Sequence, residues 1–233
     1  MGIRTIGDLA KSDETLLVRK LGKMGSILWA FANGYDESPV KLENTSAPVK
    51  SVGNSTTTPR GMETDEDVKI VLYILAESVA ARLRENGFRC RTVEISVRDK
   101  ELFHFSKQVK LQNASNITKE IAEAGYRLYK DNYRLSADDK ELKSSRPEFF
   151  QKPLRSIVIR GTDLVTDYFW EQLDMFMDPQ AREKQMKMDE TVDIIRKRFG
   201  FYSVQRGLMY RDRILSACDT KSDHTVHPHG YFG

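Results

Sequence analysis

The sequence predicts an α+β protein in three parts. A small all-α helix-hairpin-helix unit spans residues 1–40, a β-α-β-β-α-β domain spans 49–165, and a helical, flexible tail spans 166–233, with a linker at 41–48. Three observations predict this. Short helical patterns near the start are cut by Gly22, Gly25 and Gly34. Val68, Val71, Leu72, Leu75, Val79 and Leu83 recur at helical spacing. Val93, Ile95 and Val97 alternate with Thr92, Glu94, Ser96 and Arg98, the period of a half-buried strand.

Each element has its own signal. Thr5 with Asp8 three residues on is a capping box opening a short helix. Ser12 is placed to cap a second helix carrying Leu16, Leu17 and Leu21, which Gly22 stops. Ser26 to Ala32 forms a third, with Ile27, Leu28 and Phe31 on one side and Gly34 at its end. Asn44, Thr45, Ser46, Ala47 and Pro48 read as linker. Val49 to Thr58 reads as a strand, and Asp65 to Glu85 as a helix with Asp65, Glu66 and Asp67 in its first turn. Asn86-Gly87 ends it. Arg91–Arg98 and Phe103–Leu111 form a hairpin about Asp99-Lys100. Ile117 to Tyr133 is a helix with Ile117, Ile121, Ala124 and Leu128 inward; a charged loop covers Ser136 to Lys152, and Leu154 to Gly161 is the last strand. This order favours a split-βαβ, ferredoxin-like layer of four antiparallel strands with both helices on one face. Near Asp189 to Phe199 a further helix puts Met188, Val192, Ile195 and Phe199 on a docking face.

Composition narrows the classes. Lys and Arg total 37 against 34 Asp and Glu, a net charge of +3 that permits nucleic-acid binding only through a local patch. Cys90 and Cys218 make neither a disulfide framework nor a zinc signature and fit a reducing cytoplasm. No apolar run approaches membrane-spanning length, and no export signal is read at the N-terminus.

Two places invite an anion. The turn Gly22-Lys23-Met24-Gly25 exposes backbone N–H groups beside a helix N-terminus. The open sheet face carries Thr92, Glu94, Ser96, Arg98, His104, Ser106, Gln108, Lys110, Ser156 and Arg160, with Lys50, Arg91, Lys107 and Arg155 at its rims. Small hydroxyls among cations suit a phosphate backbone, although an antiparallel sheet commonly has one solvated face for no functional reason.

Gly2-Ile-Arg-Thr-Ile-Gly-Asp-Leu-Ala10, Leu21-Gly-Lys-Met-Gly25 and Ala32-Asn-Gly-Tyr-Asp36 resemble the thumb domain of Y-family translesion DNA polymerases. Lys50-Ser-Val-Gly-Asn54 resembles the first strand of that family's little-finger domain, and the β-α-β-β-α-β order is similar too. The resemblance covers residues 2–200 and is nearest the bacterial DNA polymerase IV, DinB and UmuC branch. It implies that the thumb holds primer–template phosphates through Gly22, Lys23 and Gly25. It implies that the little finger lies along the major groove, contacting DNA through Ser51, Gly53, Asn54, Thr57, Arg91, Ser106, Lys110, Arg155 and Arg160, and the rim cations Lys50 and Lys107 join this set. Glu94, an acid on that face, is left out of the set. Gln172-Leu173-Asp174-Met175-Phe176 resembles the peptide that docks bacterial polymerases on the β sliding clamp, with Met175 where Leu is more usual. Leu173, Met175 and Phe176 suit an apolar groove, and a short peptide can order as it binds.

Chemistry is the missing part. Y-family nucleotidyl transfer needs palm-domain carboxylates holding two Mg²⁺ ions, and no palm sequence precedes the thumb motif. Asp138-Asp139 lies in a polar loop, Asp65, Glu66 and Asp67 begin a helix, and Asp99 sits in a turn, so none is expected to replace them. His224, His227 and His229 are a weak metal signal in a tail expected to be disordered. The expectation is a monomeric DNA-gripping and clamp-tethering portion of an error-prone polymerase, without catalysis or a cofactor of its own, Mg²⁺ belonging to the parent. The alternative is a stand-alone DNA- or clamp-binding module. A ferredoxin-like RNA binder would carry aromatics on its open strands, and this one carries Thr, Ser and Gln.

Overall fold

Thr5 accepts the N–H of Asp8 at 3.1 Å while Asp8 accepts the N–H of Thr5, so the capping box opens helix α1 (Ile6–Ala10). The computed structural model describes residues 2–37, 39–40, 49–133, 152–166 and 178–217. The chain divides into two compact units, Met1–Ala47 and Pro48–Gly233.

In the first unit, α2 (Glu14–Leu21) is capped by Asp13, one residue beyond the expected Ser12, through the N–H of Thr15 at 2.8 Å. Helix α3 (Lys23–Ala32) starts three residues earlier than Ser26. The expected four-residue hairpin therefore shrinks to Gly22, whose φ of 62° turns the chain in a single step. Gly25 falls inside α3 and is buried; a Cβ there would stand 2.4 Å from the Leu17 carbonyl carbon, so only Gly lets the two helices meet. Trp29 Nε1 donates to the Ser12 carbonyl at 3.1 Å and Asn33 Nδ2 to the Ala10 carbonyl at 3.2 Å, fastening α3 beneath the start of the chain.

The second unit holds β1 (Ser51–Met62), α4 (Asp65–Glu85), β2 (Phe88–Asp99), β3 (His104–Ser115), α5 (Thr118–Asn132) and β4 (Leu154–Thr166). The sheet order is β1-β4-β2-β3 with every pairing antiparallel. Both helical crossovers therefore skip one strand: β4 separates β1 from β2, and β2 separates β3 from β4. Val93, Ile95, Val97, Ile157 and Ile159 point to the helices and are buried with Val71, Leu75, Val79, Ile121 and Leu128. Gly125 lets α5 settle on the sheet, since a Cβ would stand 2.9 Å from Ile159 Cδ1. Cys90 lies in this core, and burial pushes its thiol up to about 12.

Helix α4 is buried on more than the single face its periodicity predicts: Ile70 and Ile74 are covered as well as the expected Val68, Leu72 and Leu83. The cover comes from α6 (Pro179–Phe199), the 3₁₀ turns Phe201–Ser203 and Gly207–Arg211, and α7 (Arg213–Ser216), with Met209 and Leu215 entering the same core. Helix α6 docks only in part through the expected apolar face, where Val192 and Ile195 are half-buried. Met188 is 47% and Phe199 66% exposed, whereas Asp189 is 3% and Arg196 8% exposed. The reason is the surface it meets. Glu77 receives Arg196 at 2.9 Å and Arg206 at 2.7 Å, and Arg84 reaches Asp193 at 2.6 Å. Arg182 meets Glu120 at 2.8 Å. Asp189 accepts the Thr118 N–H at 2.8 Å and so caps α5, whose own Ile117 supplies no side-chain cap.

Arg60 ties β1 to both ends of this assembly, holding Asp67 at 2.7 Å and Asp212 at 2.5 Å. Burial alone would raise the Asp67 carboxyl, but Arg60 and the N–H groups of Glu63 and Thr64 outweigh it and hold it below the ordinary range; Arg60 does the same for Asp212. A carboxylate depressed on folding stabilises above its unfolded pKa and loses that contribution as pH falls through its folded value. Stability is therefore expected to fall as pH drops below about 4, and Asp212→Asn to flatten that fall. Thermal unfolding followed from pH 2 to 6 checks it, with an unchanged pH profile in the variant counting against the Arg60 assignment.

Candidate nucleic-acid interface

Strand register builds the open face from residues that are far apart in sequence. Across β1, β4, β2 and β3 it reads in four rows: Ser51, Thr162, Thr92, Lys110; then Gly53, Arg160, Glu94, Gln108; then Ser55, Val158, Ser96, Ser106; then Thr57, Ser156, Arg98, His104. Hydroxyls fill it, with exposed cations at Lys110, Arg160 and Arg98 and one acid, Glu94.

Arg160 is placed by Gly53, its partner across the β1–β4 ladder. A Cβ on Gly53 would stand 3.1 Å from Arg160 Cβ and Cγ and 3.2 Å from Nε, so the arginine lies across the bare glycine toward β1. On the far side of the sheet the Arg82 guanidinium donates to the Gly53 carbonyl and holds that strand in place. Glu94, opposite Arg160 on the other flank, accepts the Ser106 hydroxyl at 2.9 Å instead. Replacing Gly53 by Ala is expected to displace Arg160 and weaken anion binding about threefold, the scale of one imperfect charge-assisted hydrogen bond. The check is duplex affinity of Gly53→Ala against Arg160→Ala, with additive losses contradicting the pairing.

The geometry sorts the candidate residues. Ser51, Gly53, Thr57, Ser106, Lys110 and Arg160 share the open face. Lys50 precedes β1 and Arg155 stands exposed beside the register shift between Thr57 and Met62. Asn54 is a correction: it faces the helices, is 9% exposed and donates to Ser78 Oγ at 3.0 Å, because α4 offers that partner. Lys107 is another: it pairs with Ile95, which puts it on the helix side of the edge strand. Arg91 is half-buried where alternation breaks between the buried Cys90 and Val93, 4.0 Å from Asp163. In the first unit, Gly25 serves packing and its N–H is taken by the Gly22 carbonyl at 2.9 Å, and the Gly22 N–H by the Val18 carbonyl at 2.8 Å, which leaves Lys23 as the candidate of that turn; Gly22 brings no side-chain cap. Arg98, on the alternating face yet outside the candidate set, belongs at its lower edge, and Ser55 and Thr162 join it through long-range pairing.

The acids considered for chemistry have structural partners. Asp65 accepts from Tyr129 Oη at 2.7 Å and from Lys130, Asp67 completes the α4 capping box, and Asp99 accepts the N–H groups of Glu101 and Phe103. Asp138-Asp139, Gln172 to Phe176 and the tail histidines lie outside the described residues.

Residues 49–175 match the impB/mucB/samB family C-terminal domain. The chain belongs to this family. Its β-α-β-β-α-β unit is the family's C-terminal domain, and the resemblance to the C-terminal part of Y-family polymerases is shown. The chain is similar to DNA polymerase IV of Acetivibrio thermocellus, 42% identical over 216 residues, 93% of this chain and 50% of that protein. DNA polymerase IV 2 of Bacillus subtilis is 35% identical over 210 residues, 88% of this chain and 46% of the relative. DNA polymerase IV 2 of Halalkalibacterium halodurans is 30% identical over 213 residues, with 90% and 47% covered. The family member described here thus spans about half the length of the curated relatives it matches. No helix among its described residues is long and apolar enough to cross a membrane.

Proposed function

We propose that this chain grips duplex DNA for a translesion DNA polymerase and tethers it to the sliding clamp, leaving Mg²⁺-dependent nucleotidyl transfer to the other half of a polymerase of the relatives' length. The observation that carries the reading is the open face. It sets Lys110, Arg160 and Arg98 among hydroxyls on one rigid sheet, with the opposite face committed to the core. Cations and hydroxyls contact phosphates whatever the bases are, and a polymerase that advances one nucleotide per cycle needs such grip. The N-terminal turn of α3 at Lys23 adds a backbone N–H and a favourable helix dipole, with Gly22 making the turn that presents it. The names of the relatives support polymerase membership.

The contacting set is Gly22, Lys23, Lys50, Ser51, Gly53, Thr57, Arg98, Ser106, Lys110, Arg155 and Arg160, with Gly22 acting by presenting Lys23 and Gly53 by seating Arg160. Gln172-Leu173-Asp174-Met175-Phe176 is the tether, its apolar side chains filling a groove on the clamp. Anisotropy of labelled primer–template in a salt titration tests the grip: binding that weakens linearly in log salt is expected, and no binding at low salt refutes it. Leu173→Ala with Phe176→Ala is expected to abolish clamp binding and spare DNA affinity. Unchanged clamp affinity would refute the tether alone.

A further inference from the structure

The one acid on the open face stands near its middle, in the row Gly53, Arg160, Glu94, Gln108. Directly opposed residues on adjacent antiparallel strands have Cβ atoms about 5 Å apart, so Glu94 and Arg160 could pair. They are turned apart instead. Arg160 lies over Gly53 toward β1, and Glu94 turns toward β3, where Ser106 Oγ donates to it at 2.9 Å. Glu94 is half-buried and appears in none of the ion pairs among the described residues; nor does Arg160. The charges nearest it on the face are Arg160 in its own row and Lys110 in the row above; Arg98 stands two rows below on the same strand.

A phosphate drawn to Arg160 or Lys110 comes within roughly 10 Å of the Glu94 carboxylate, inside one Debye length at moderate salt. It gains the attraction of the cation and meets the repulsion of a fixed negative charge. Resting on the reading of this face as a DNA grip, we propose that Glu94 is an electrostatic brake: a fixed anion that keeps phosphate contacts weak enough to be exchanged as the duplex moves. The Ser106 hydroxyl is its positioning partner, holding the carboxylate toward solvent-side β3 rather than letting Arg160 neutralise it. The device costs affinity and shortens the lifetime of each contact, which suits a surface that must release one phosphate register and take the next.

Glu94→Gln keeps the shape and the Ser106 hydrogen bond and removes only the charge. Primer–template duplex is titrated into wild type, Glu94→Gln and Ser106→Ala by anisotropy at several salt concentrations, with dissociation rates by stopped flow. The expected result is that Glu94→Gln binds roughly threefold to tenfold tighter at low salt, dissociates more slowly, and has a log–log salt slope steeper by up to about 1. Ser106→Ala removes a contacting hydroxyl and lets Glu94 turn toward Arg160, so it is expected to weaken duplex binding about threefold, the opposite direction to Glu94→Gln. Thermal stability read alongside separates a charge effect from a change in folding. If wild type binds duplex and Glu94→Gln binds equally or more weakly, the brake is wrong while the grip stands; weaker binding would make Glu94 an acceptor for base amino groups. If wild type binds no duplex, the grip itself fails and the brake with it.

Discussion

Replacing Arg98, Lys110 and Arg160 together by Ala is expected to cost roughly 100-fold in duplex affinity at low salt and to flatten the log–log salt slope by about 3, one unit for each phosphate released. All three are exposed on the open face, so the fold is expected to keep its thermal midpoint within a degree or two. Lys107→Ala is the internal control. It removes the same charge from the same strand as Lys110, but from the helix side, and its effect is expected to stay within about twofold. Equal losses for Lys107→Ala and Lys110→Ala would mean that net charge, rather than the face, holds the duplex.

The second large effect concerns stability. Glu77→Ala is expected to destabilise the second unit by about 3 kcal/mol or more, because it strips a buried carboxylate from two arginines. Glu77 is 5% exposed and Arg196 8%. Truncation takes the carboxylate from the buried Arg196, which is left with the Val204 carbonyl, while Arg206 keeps Asp189 at 3.1 Å, and burying a cation without its carboxylate costs more than the pair contributes. Urea unfolding checks the size of the loss. Limited proteolysis checks its place: cleavage is expected first in residues 179–217, whose helices α6 and α7 rest on this network. A loss under about 0.5 kcal/mol, the range of ordinary surface changes, would show that the packing of Met209 and Leu215 suffices without Glu77.

How much of this was legible depended on whether apolar residues marked the phase of each element. In β2 the series Val93, Ile95, Val97 fixes the inward face, and the outward Thr92, Glu94, Ser96 and Arg98 follow. In β1 the sequence Ser51-Val-Gly-Asn-Ser-Thr-Thr-Thr58 offers only Val52 as an apolar marker of phase, and Asn54 follows it to the helix side, where it donates to Ser78. Lys107 was readable: Phe105 and Val109 flank it two residues away and point inward, and the same parity takes Lys107 with them. The rows of the face could not be read, because β1 meets β4 from about a hundred residues away and registers are set in three dimensions. Helix α6 failed in part, and for a different reason. Periodicity scores apolar stripes, and this helix docks by Arg182, Asp189, Asp193 and Arg196, which repeat at helical spacing but carry charge. Such a stripe is buried only because Glu77, Arg84 and Glu120 wait opposite it.

The capping box at Thr5 behaved otherwise, since it is complete within four residues and needs no distant partner. Gly22 likewise announced a turn, although its extent was overestimated, because Gly25 looked like punctuation and is packing.

The proposed DNA grip is one face of one sheet, and neighbouring residues on β3 test it directly. Ser106 lies on the open face and Lys107 on the helix side. Single cysteines placed by Ser106→Cys and Lys107→Cys, in a Cys218→Ser background where the buried Cys90 stays unreactive, are alkylated with and without primer–template duplex. Duplex is expected to slow alkylation at position 106 strongly and at 107 little. Equal protection at both, or protection at 107 alone, would contradict the assignment of the open face as the DNA grip.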